Sequence, residues 1–295
     1  MTNGLWQETA EAAATPDIIV ESLRTTGVAM NRKLRHFAIA SVALAICAAP
    51  AFPQSAPPPK AAAKEEALPS VDELAAKCAK ASGGKEAWAK LTTQVLDGTI
   101  DLPAFGLTGK VEFIAKAPNK MLHVVTIGDG QFVQKQGFDG RVAWKSDTQT
   151  GLKKLEGAQL EQARMEAIFD SDVRLKEIFP DMKVTGRAKV GDRDTYTVLA
   201  HEPGGKTDTF YFDAQTGQRI AVDSEGPDES GKMVKANIFL EDFRAIDGIH
   251  MPFRIRIESS AVNLVITLQE VHHNVPIEDS IFAMPPSEPA ATATH

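Results

Sequence analysis

Residues 253–258, Phe-Arg-Ile-Arg-Ile-Glu, alternate apolar and charged side chains without interruption. Residues 262–268 repeat this period of two, with Val, Leu, Ile and Leu at every second position, directly after Ser259 and Ser260. A side-chain period of two is typical of a β-strand that buries one face. The two segments therefore predict a β-hairpin, and the apolar side of its sheet must be covered by another part of the chain.

Comparable segments, separated by turn residues, fill most of the chain after Thr93. Asp129-Gly130, Asp139-Gly140 and Asp247-Gly248 supply residues that tolerate positive φ in tight turns. About a dozen strands in meander order exceed what a flat open sheet tolerates, so the sheet is expected to curl. The predicted strands are residues 93–101, 106–117, 121–127, 131–137, 141–147, 182–189, 194–201, 207–213, 219–224, 233–243, 249–259 and 262–272.

Two stretches have a helical pattern instead. Residues 157–181 carry apolar side chains at helical spacing, with a joint near residues 170–172, which predicts two short helices with one apolar stripe. A further helix is predicted from Ser70 or Asp72 to Ala81. These helices can lie across the concave face of the curled sheet. Two interpretations remain open, a permanent plug that completes an ordinary core or a lid over a lipid cavity.

The N-terminal part carries an export signal that begins at an internal methionine. Residues 30–51 combine a basic stretch, an apolar run and small residues at A-x-A spacing, which predicts a signal peptide and a periplasmic protein. The apolar run is shorter than the ~20 residues of a spanning helix, which disfavours a retained anchor. Lipid attachment at Cys47 is disfavoured because the bulky Ile46 precedes it. The remaining assignments are 1–29 as an over-called N-terminal extension, 52–69 as a Pro/Ala-rich linker, 70–286 as the folded domain and 287–295 as a disordered tail.

The residue content argues against several classes of function. The net charge of -7 disfavours nucleic-acid binding. Removal of the signal peptide leaves Cys78 without a disulfide partner, so a packed apolar role is predicted for it. His272 and His273 are neighbours in a strand and point to opposite faces, so they cannot both ligate one metal ion. We predict no cofactor and no metal, and an enzyme only through residues that are assembled in three dimensions.

Several short motifs occur in a fixed order between residues 70 and 286. They are Pro118-Asn119-Lys120-Met121, Gly137-Phe138-Asp139-Gly140 followed by Trp144, Asp213-x-x-Thr216-Gly217, Phe243-x-x-x-Asp247-Gly248-x-x-x-Pro252-Phe253 and Val271-x-x-Asn274-x-x-Ile277-x-Asp279-x-x-Phe282. In this order and spacing they resemble the LolA/LolB/LppX-like superfamily of periplasmic lipoprotein and lipid carriers, which includes outer-membrane lipoprotein-sorting proteins.

The resemblance implies a fold that is mainly β with helices (α+β), in which a curled antiparallel sheet forms an unclosed β-barrel with a helical lid or plug. It implies a carrier that binds acyl chains of lipoproteins or lipids in an apolar cavity, for transport to or maintenance of the outer membrane. The implied partners are those acyl chains, an inner-membrane releasing complex and an outer-membrane receptor; the implied protein is a monomer with no catalytic residue. The alternative is a lipid-sensing envelope regulator or scaffold protein without transport activity.

Alternation within the strands identifies candidate residues for this cavity. One set of strand side chains is predicted to share the concave face. The helical stretch is predicted to supply the moving part of the cavity wall. The strand candidates are Val111, Phe113, Leu122, Val124, Phe132, Trp144, Tyr211, Phe253 and Ile255, and the helical candidates are Met165, Ile168, Phe169, Ile178 and Phe179.

Overall fold

A computed structural model describes residues 67–202, 206–227, 233–260 and 262–286. The predicted signal peptide, the N-terminal extension, most of the linker and the tail lie outside these residues. Within the described ranges, every helix is too short or too polar to cross a membrane.

Helices and strands follow each other in the order that the sequence patterns predict, with one added strand. Three 3-10 turns lie at Pro103–Phe105, Ser171–Val173 and Asp279–Phe282. The elements are α1 (Val71–Ala81), α2 (Lys85–Trp88), β1 (Thr93–Leu102), β2 (Leu107–Lys116), β3 (Lys120–Ile127), β4 (Phe132–Phe138), β5 (Ala143–Asp147), β6 (Gly151–Leu155), α3 (Gly157–Glu166), α4 (Leu175–Ile178), β7 (Lys183–Val190), β8 (Arg193–His201), β9 (Thr207–Asp213), β10 (Arg219–Pro227), β11 (Met233–Ile246), β12 (Ile249–Ser259) and β13 (Asn263–His273).

The strands form one 13-stranded antiparallel sheet in the order β6-β5-β4-β3-β2-β1-β13-β12-β11-β10-β9-β8-β7. Each half of the sheet is a meander, and the pairing of β1 with β13 joins the two halves. The outermost strands are therefore β6 and β7, and within the described ranges no ladder of hydrogen bonds joins them. The predicted antiparallel sheet that does not close into a barrel is confirmed.

The added strand is β6, which pairs with β5 at one edge of the sheet. Its sequence, Gly-Leu-Lys-Lys-Leu, breaks the alternation because two lysines are adjacent. Lysine side chains on an edge strand hinder pairing with another chain, so this composition suits the position. The same lysines removed the period-two signal on which the strand predictions depend.

The start of α1 agrees with the predicted cap. The Ser70 hydroxyl accepts a hydrogen bond from the backbone N–H of Glu73, and the Glu73 carboxylate accepts one from the backbone N–H of Ser70 at 2.7 Å. This reciprocal pair satisfies two N–H groups at the helix start. Beyond the helix end, Gly83 has a φ of 110°, and a Cβ there would lie 2.3 Å from the Gly248 carbonyl oxygen. Glycine at this position thus lets α1 approach the β11–β12 turn.

The helical segment between β6 and β7 has a special place in the topology. It leaves one outermost strand and enters the other, so both of its ends are fixed at sheet edges. The segment must therefore cross the open side of the curled sheet. The two predicted short helices are present in it as α3 and α4, with the 3-10 turn Ser171–Val173 between them. We call residues 156–182 the crossing segment.

The helices all pack on one side of the sheet, which we call the inner face and define by Val111, Ile255 and Phe210. Three apolar clusters lie on it. The central cluster includes Val111, Val125 and Ile266, with Trp88 and Phe169 packed against it. The side cluster joins Leu74 and Cys78 of α1 to α4 and to strands β8 to β10. The third cluster joins α3 to β3, β5 and β6 through Met121, Ala143, Leu155, Ala163 and Ala167.

Cys78 has the packed role that its sequence context predicts. Its side chain is buried in the side cluster. Burial, followed by the charge of the nearby Asp172 carboxylate, raises the pKa of the Cys78 thiol to about 12. The thiol therefore stays protonated at neutral pH, which removes the thiolate that reactive cysteines need.

Candidate functional site

Five of the strand candidates lie together on the inner face. Val111 and Phe113 of β2 are two residues apart, and Phe132 of β4 lies opposite Ile127, which shares their face. Phe253 and Ile255 of β12 belong to the same surface, because Ile255 pairs with Ile266 of β13. All five belong to the central cluster or pack against it. The cross-strand register thus brings these candidates together as predicted, and their role in binding stays a prediction.

Leu122, Val124 and Trp144 do not belong to this surface, so their predicted place on the concave face is wrong. All three point to the opposite, outer face, where they pack with Phe282. The indole N–H of Trp144 donates a hydrogen bond to the Phe282 carbonyl oxygen at 2.8 Å. Alternation could not separate the faces of β3, because apolar residues are buried on both of its sides. The C-terminal residues 275–286 cover the outer face there.

Tyr211 is also on the outer face, which corrects its predicted position. Its hydroxyl donates a hydrogen bond to the Asp223 carboxylate at 2.6 Å. Burial raises the pKa of Tyr211 to about 12, and Asp223 contributes to the shift. Phe210 and Phe212 are the aromatic residues of β9 that face inward. Three consecutive aromatic residues hide the alternation of this strand, which explains the error.

The crossing segment places its predicted residues against both halves of the sheet. Ile178 and Phe179 are buried in the side cluster, where Phe179 meets Phe210 edge to face at a centroid distance of 5.0 Å. Phe169 packs instead against the central cluster and meets Trp88 at 6.0 Å. Met165 and Ile168 pack against the side cluster as well. The crossing segment therefore bridges the two halves across the inner face.

Polar residues on the inner face were not predicted. The side-chain N–H of Gln136 donates a hydrogen bond to Glu166 Oε2 at 2.9 Å, and Gln162 donates one to Oε1 at 2.8 Å. Burial is the main cause that raises the pKa of Glu166, and the hydrogen bond from Gln162 and the charge of Lys206 on the β8–β9 hairpin oppose the shift. Gln134, two residues before Gln136, is completely buried. A polar patch thus adjoins the apolar clusters.

The covering helices leave little free space on the inner face. A gap between α1 and strands β8 and β9 is lined by apolar side chains and has no room for a water molecule. Pockets that hold small molecules usually measure about 300–1,000 Å³. This gap is therefore too small for a long acyl chain, which would need a displacement of the helices to enter there. The gap is lined by Val71, Leu74, Ala75, Met182, Val198 and Phe212.

The histidine pair is held in separate environments. His272 Nε2 lies 3.2 Å from Glu270, whereas His273 Nδ1 lies 2.8 Å from Asp247 and its Nε2 lies 2.9 Å from the Gln94 amide nitrogen. Across the part of the chain that the structure describes, His, Cys, Asp and Glu residues form no group of three suited to a metal ion.

An acidic row crosses three strands of the outer face. Glu112 of β2 is the cross-strand partner of Asp97 of β1, and Asp97 is the partner of Glu270 of β13. Burial is the first cause that raises the pKa of Glu112, and the Asp97 charge is the second; together they bring it from 4.5 to about 7. Burial, followed by Glu270, also raises the pKa of Asp97. The folded protein therefore holds a proton on Glu112 more tightly than the unfolded chain does.

This row predicts a pH-dependent stability. Between pH 4.5 and about 7 the folded state binds more protons at Glu112, so the free energy of unfolding falls as pH rises through that window. We expect Glu112→Gln to stabilise the protein by about 1 kcal/mol at pH 8, after allowance for solvent screening, and to change little at pH 4. Urea denaturation at both pH values measures this. Glu86→Gln, at an exposed position of α2, is the control; equal effects of the two variants at pH 8 would contradict the assignment.

Comparison with known proteins agrees with this architecture. A DUF1329 family protein from Desulfovibrio piger has a TM-score of 0.50 and 13% sequence identity, over 72% of this chain and 97% of that one. A LolA superfamily protein from Nitrosomonas europaea has a TM-score of 0.50 and 14% identity, over 73% of this chain and 98% of that one. The chain shares the fold of these two proteins. No family model and no curated protein matches the sequence, so the fold alone is what these likenesses establish.

Proposed function

We propose that the protein is a periplasmic carrier that binds the acyl chains of lipids or lipoproteins between the inner face and the crossing segment, without catalysing a reaction. The observation that carries the proposal is the way in which the inner face is covered. An apolar sheet surface is closed by a segment that is fixed at the two sheet edges, by side-chain contacts and by a backbone hydrogen bond from the Phe169 N–H to the Pro118 carbonyl oxygen.

The crossing segment is the part of this cover that can move at the lowest cost. The strands are tied to each other by continuous ladders of backbone hydrogen bonds. By contrast, α4 spans only Leu175–Ile178, and a helix of that length depends on tertiary packing. Lids are drawn from the less stable parts of a structure. Displacing Ile178 and Phe179 would expose the apolar surface around Phe210 to a ligand.

An acyl chain can replace the contacts that such a displacement removes. Burial of each CH2 group contributes about 0.8 kcal/mol, so a chain of ~14 carbons supplies on the order of 10 kcal/mol before the losses of ordering and of lid opening. Ile178 and Phe179, if both leave the side cluster, lose roughly 3–6 kcal/mol of burial together. The exchange is therefore favourable for a long chain and unfavourable for a short one.

The periplasmic part of the proposal is supported by the predicted signal peptide at residues 30–51. The fold shared with a LolA superfamily protein supports the carrier part. Delivery to or maintenance of the outer membrane, with an inner-membrane releasing complex and an outer-membrane receptor as partners, extends the same proposal.

Acyl binding is the direct test. We expect the full-length protein to bind a fluorescent long-chain fatty acid, unlabelled acyl compounds to displace it, and compounds with ~14 or more carbons to compete better than short ones. Native mass spectrometry of the complex gives the stoichiometry. A protein whose circular dichroism shows an intact sheet but which binds no lipid would favour the plug or the regulator and scaffold alternatives.

A matched pair of variants locates the binding surface. Phe113→Ser alters a half-buried aromatic residue of the inner face, and Tyr211→Ser alters a half-buried aromatic residue of the outer face. We expect the first to weaken acyl binding by at least about tenfold, since each 1.4 kcal/mol of lost contact corresponds to a factor of ten. The second should leave binding unchanged. Equal losses of acyl affinity in the two variants would mean that the ligand does not bind at the inner face.

A further inference from the structure

Gln134 is a completely buried polar residue on the inner face. It lies on β4 between Val125 of β3, which in turn lies opposite Val111 of β2, and Asp147 of β5. Its exposed fraction is 0%, and neither its amide nitrogen nor its amide oxygen has a hydrogen-bond partner among the described residues. A buried amide without partners destabilises a fold. An apolar side chain at this position would leave no amide unpaired, so stability does not explain the glutamine.

The neighbouring residues show where a partner would sit. Gln136, the next inner-face residue on β4, already donates its hydrogen bond to Glu166 at the end of α3. On the other side of Gln134, Phe132 belongs to the central cluster. The β4 inner face thus passes from apolar at Phe132, through the unpaired Gln134, to the polar contact with the crossing segment. Gln134 stands at the boundary between the apolar surface and the polar patch.

We propose that Gln134 binds the polar linkage of an acyl ligand, with the hydrocarbon chain over the row that contains Val125 and Val111. This inference rests on the proposed function and adds the ligand class to it. The amide of glutamine has one donor side and one acceptor side. The group that satisfies both is a carbonyl with an N–H or a hydroxyl on the same side, as in a primary fatty amide or a monoacylglycerol. A hydrocarbon satisfies neither side of the amide, and a carboxylate satisfies only its N–H side because a carboxylate has no hydrogen to donate.

Two probes of similar length separate the linkage from the chain. Palmitamide carries a primary amide, with an N–H on the same side as its carbonyl oxygen, and octadecane carries no polar group; both can be delivered from cyclodextrin and compete with a fluorescent acyl probe. We expect the full-length protein to prefer the amide by about tenfold, the value of one buried hydrogen-bonding group. We expect Gln134→Leu to remove this preference, to keep binding octadecane and to raise the melting temperature. Gln131→Leu, at an exposed position just before β4, should change none of these.

The outcomes separate this inference from the proposed function. Equal affinity of the unaltered protein for both probes, or a preference that survives Gln134→Leu, would overturn the role of Gln134 while acyl binding stands. Binding of neither probe would overturn both proposals. If Gln134→Leu does not fold, Gln134→Met, with an unbranched side chain of similar length, serves as the variant.

Discussion

Trp144→Ala is expected to lower the free energy of unfolding by about 3–5 kcal/mol, the usual cost of removing a large aromatic side chain from a core. The ring is almost completely buried on the outer face among Ile114, Leu122 and Phe282. It also binds the Phe282 carbonyl oxygen through its indole N–H at 2.8 Å. A Cβ on Gly137 would lie 2.4 Å from the same ring, so the site has no room for rearrangement. Urea denaturation with an unchanged m value measures the loss.

Two further variants separate the contribution of the indole hydrogen bond from that of the buried ring and provide an exposed control. Trp144→Phe keeps most of the ring but leaves the Phe282 carbonyl oxygen unpaired, so we expect a cost of about 1–3 kcal/mol. Phe105→Ala, at an aromatic residue that is 44% exposed, should cost less than about 0.5 kcal/mol. Variants at Trp144 that stay folded should bind acyl ligands with unchanged affinity, since the residue faces away from the crossing segment. A change below about 1 kcal/mol for Trp144→Ala would contradict the packing of residues 275–286 on the sheet.

Replacing both Ile168 and Phe169 by serine is expected to speed the release of a bound acyl ligand by at least about tenfold. Each side chain loses roughly 1.5–3 kcal/mol of apolar burial if it closes over the ligand. Phe169 packs against the central cluster and Ile168 against the side cluster, so the pair acts on both halves of the inner face. Stopped-flow displacement of a fluorescent acyl probe measures the release rate, and circular dichroism confirms that the sheet stays folded.

The matched control lies in the same segment. Glu161 and Arg164 form an ion pair of 3.0 Å on the solvent side of α3. Their replacement by serine changes the helix surface but no apolar contact, so the release rate should stay the same. A double variant of Ile168 and Phe169 that folds normally and releases ligand at the original rate would mean that these side chains do not retain the ligand.

Strand alternation predicted the face of a side chain where one side of the strand is polar. In β12, Arg254 and Arg256 bind Glu241 on the outer face. The apolar residues that alternate with these arginines therefore point inward. The same reasoning failed in β3 and β9, where both faces are covered or the aromatic residues are consecutive. For β3 the missing information was the position of residues 275–286, which pack on the outer face at that strand and have no periodic pattern.

The polar patch could not be predicted for a different reason. Gln136 and Glu166 are 30 residues apart in the chain, and Lys206 comes from the other half of the sheet. Only the crossing segment brings these three residues near one another. Gln134 carries a weak signal in the sequence, because it and Gln136 occupy inner-face positions of β4 where apolar residues were expected. Two inward glutamines in one strand indicate a polar function, but the sequence does not say which residues face them.

Amide hydrogen exchange, with and without a bound acyl ligand, tests the carrier mechanism most directly. The mechanism predicts that amides of residues 161–179 in the free protein exchange faster than those of residues 253–268, because the strands are held by ladders on both sides. It also predicts that a long-chain acyl ligand slows exchange in residues 161–179 and leaves residues 253–268 unchanged. Equal protection of the two regions, unaffected by ligand, would identify the crossing segment as a static plug and contradict the mechanism.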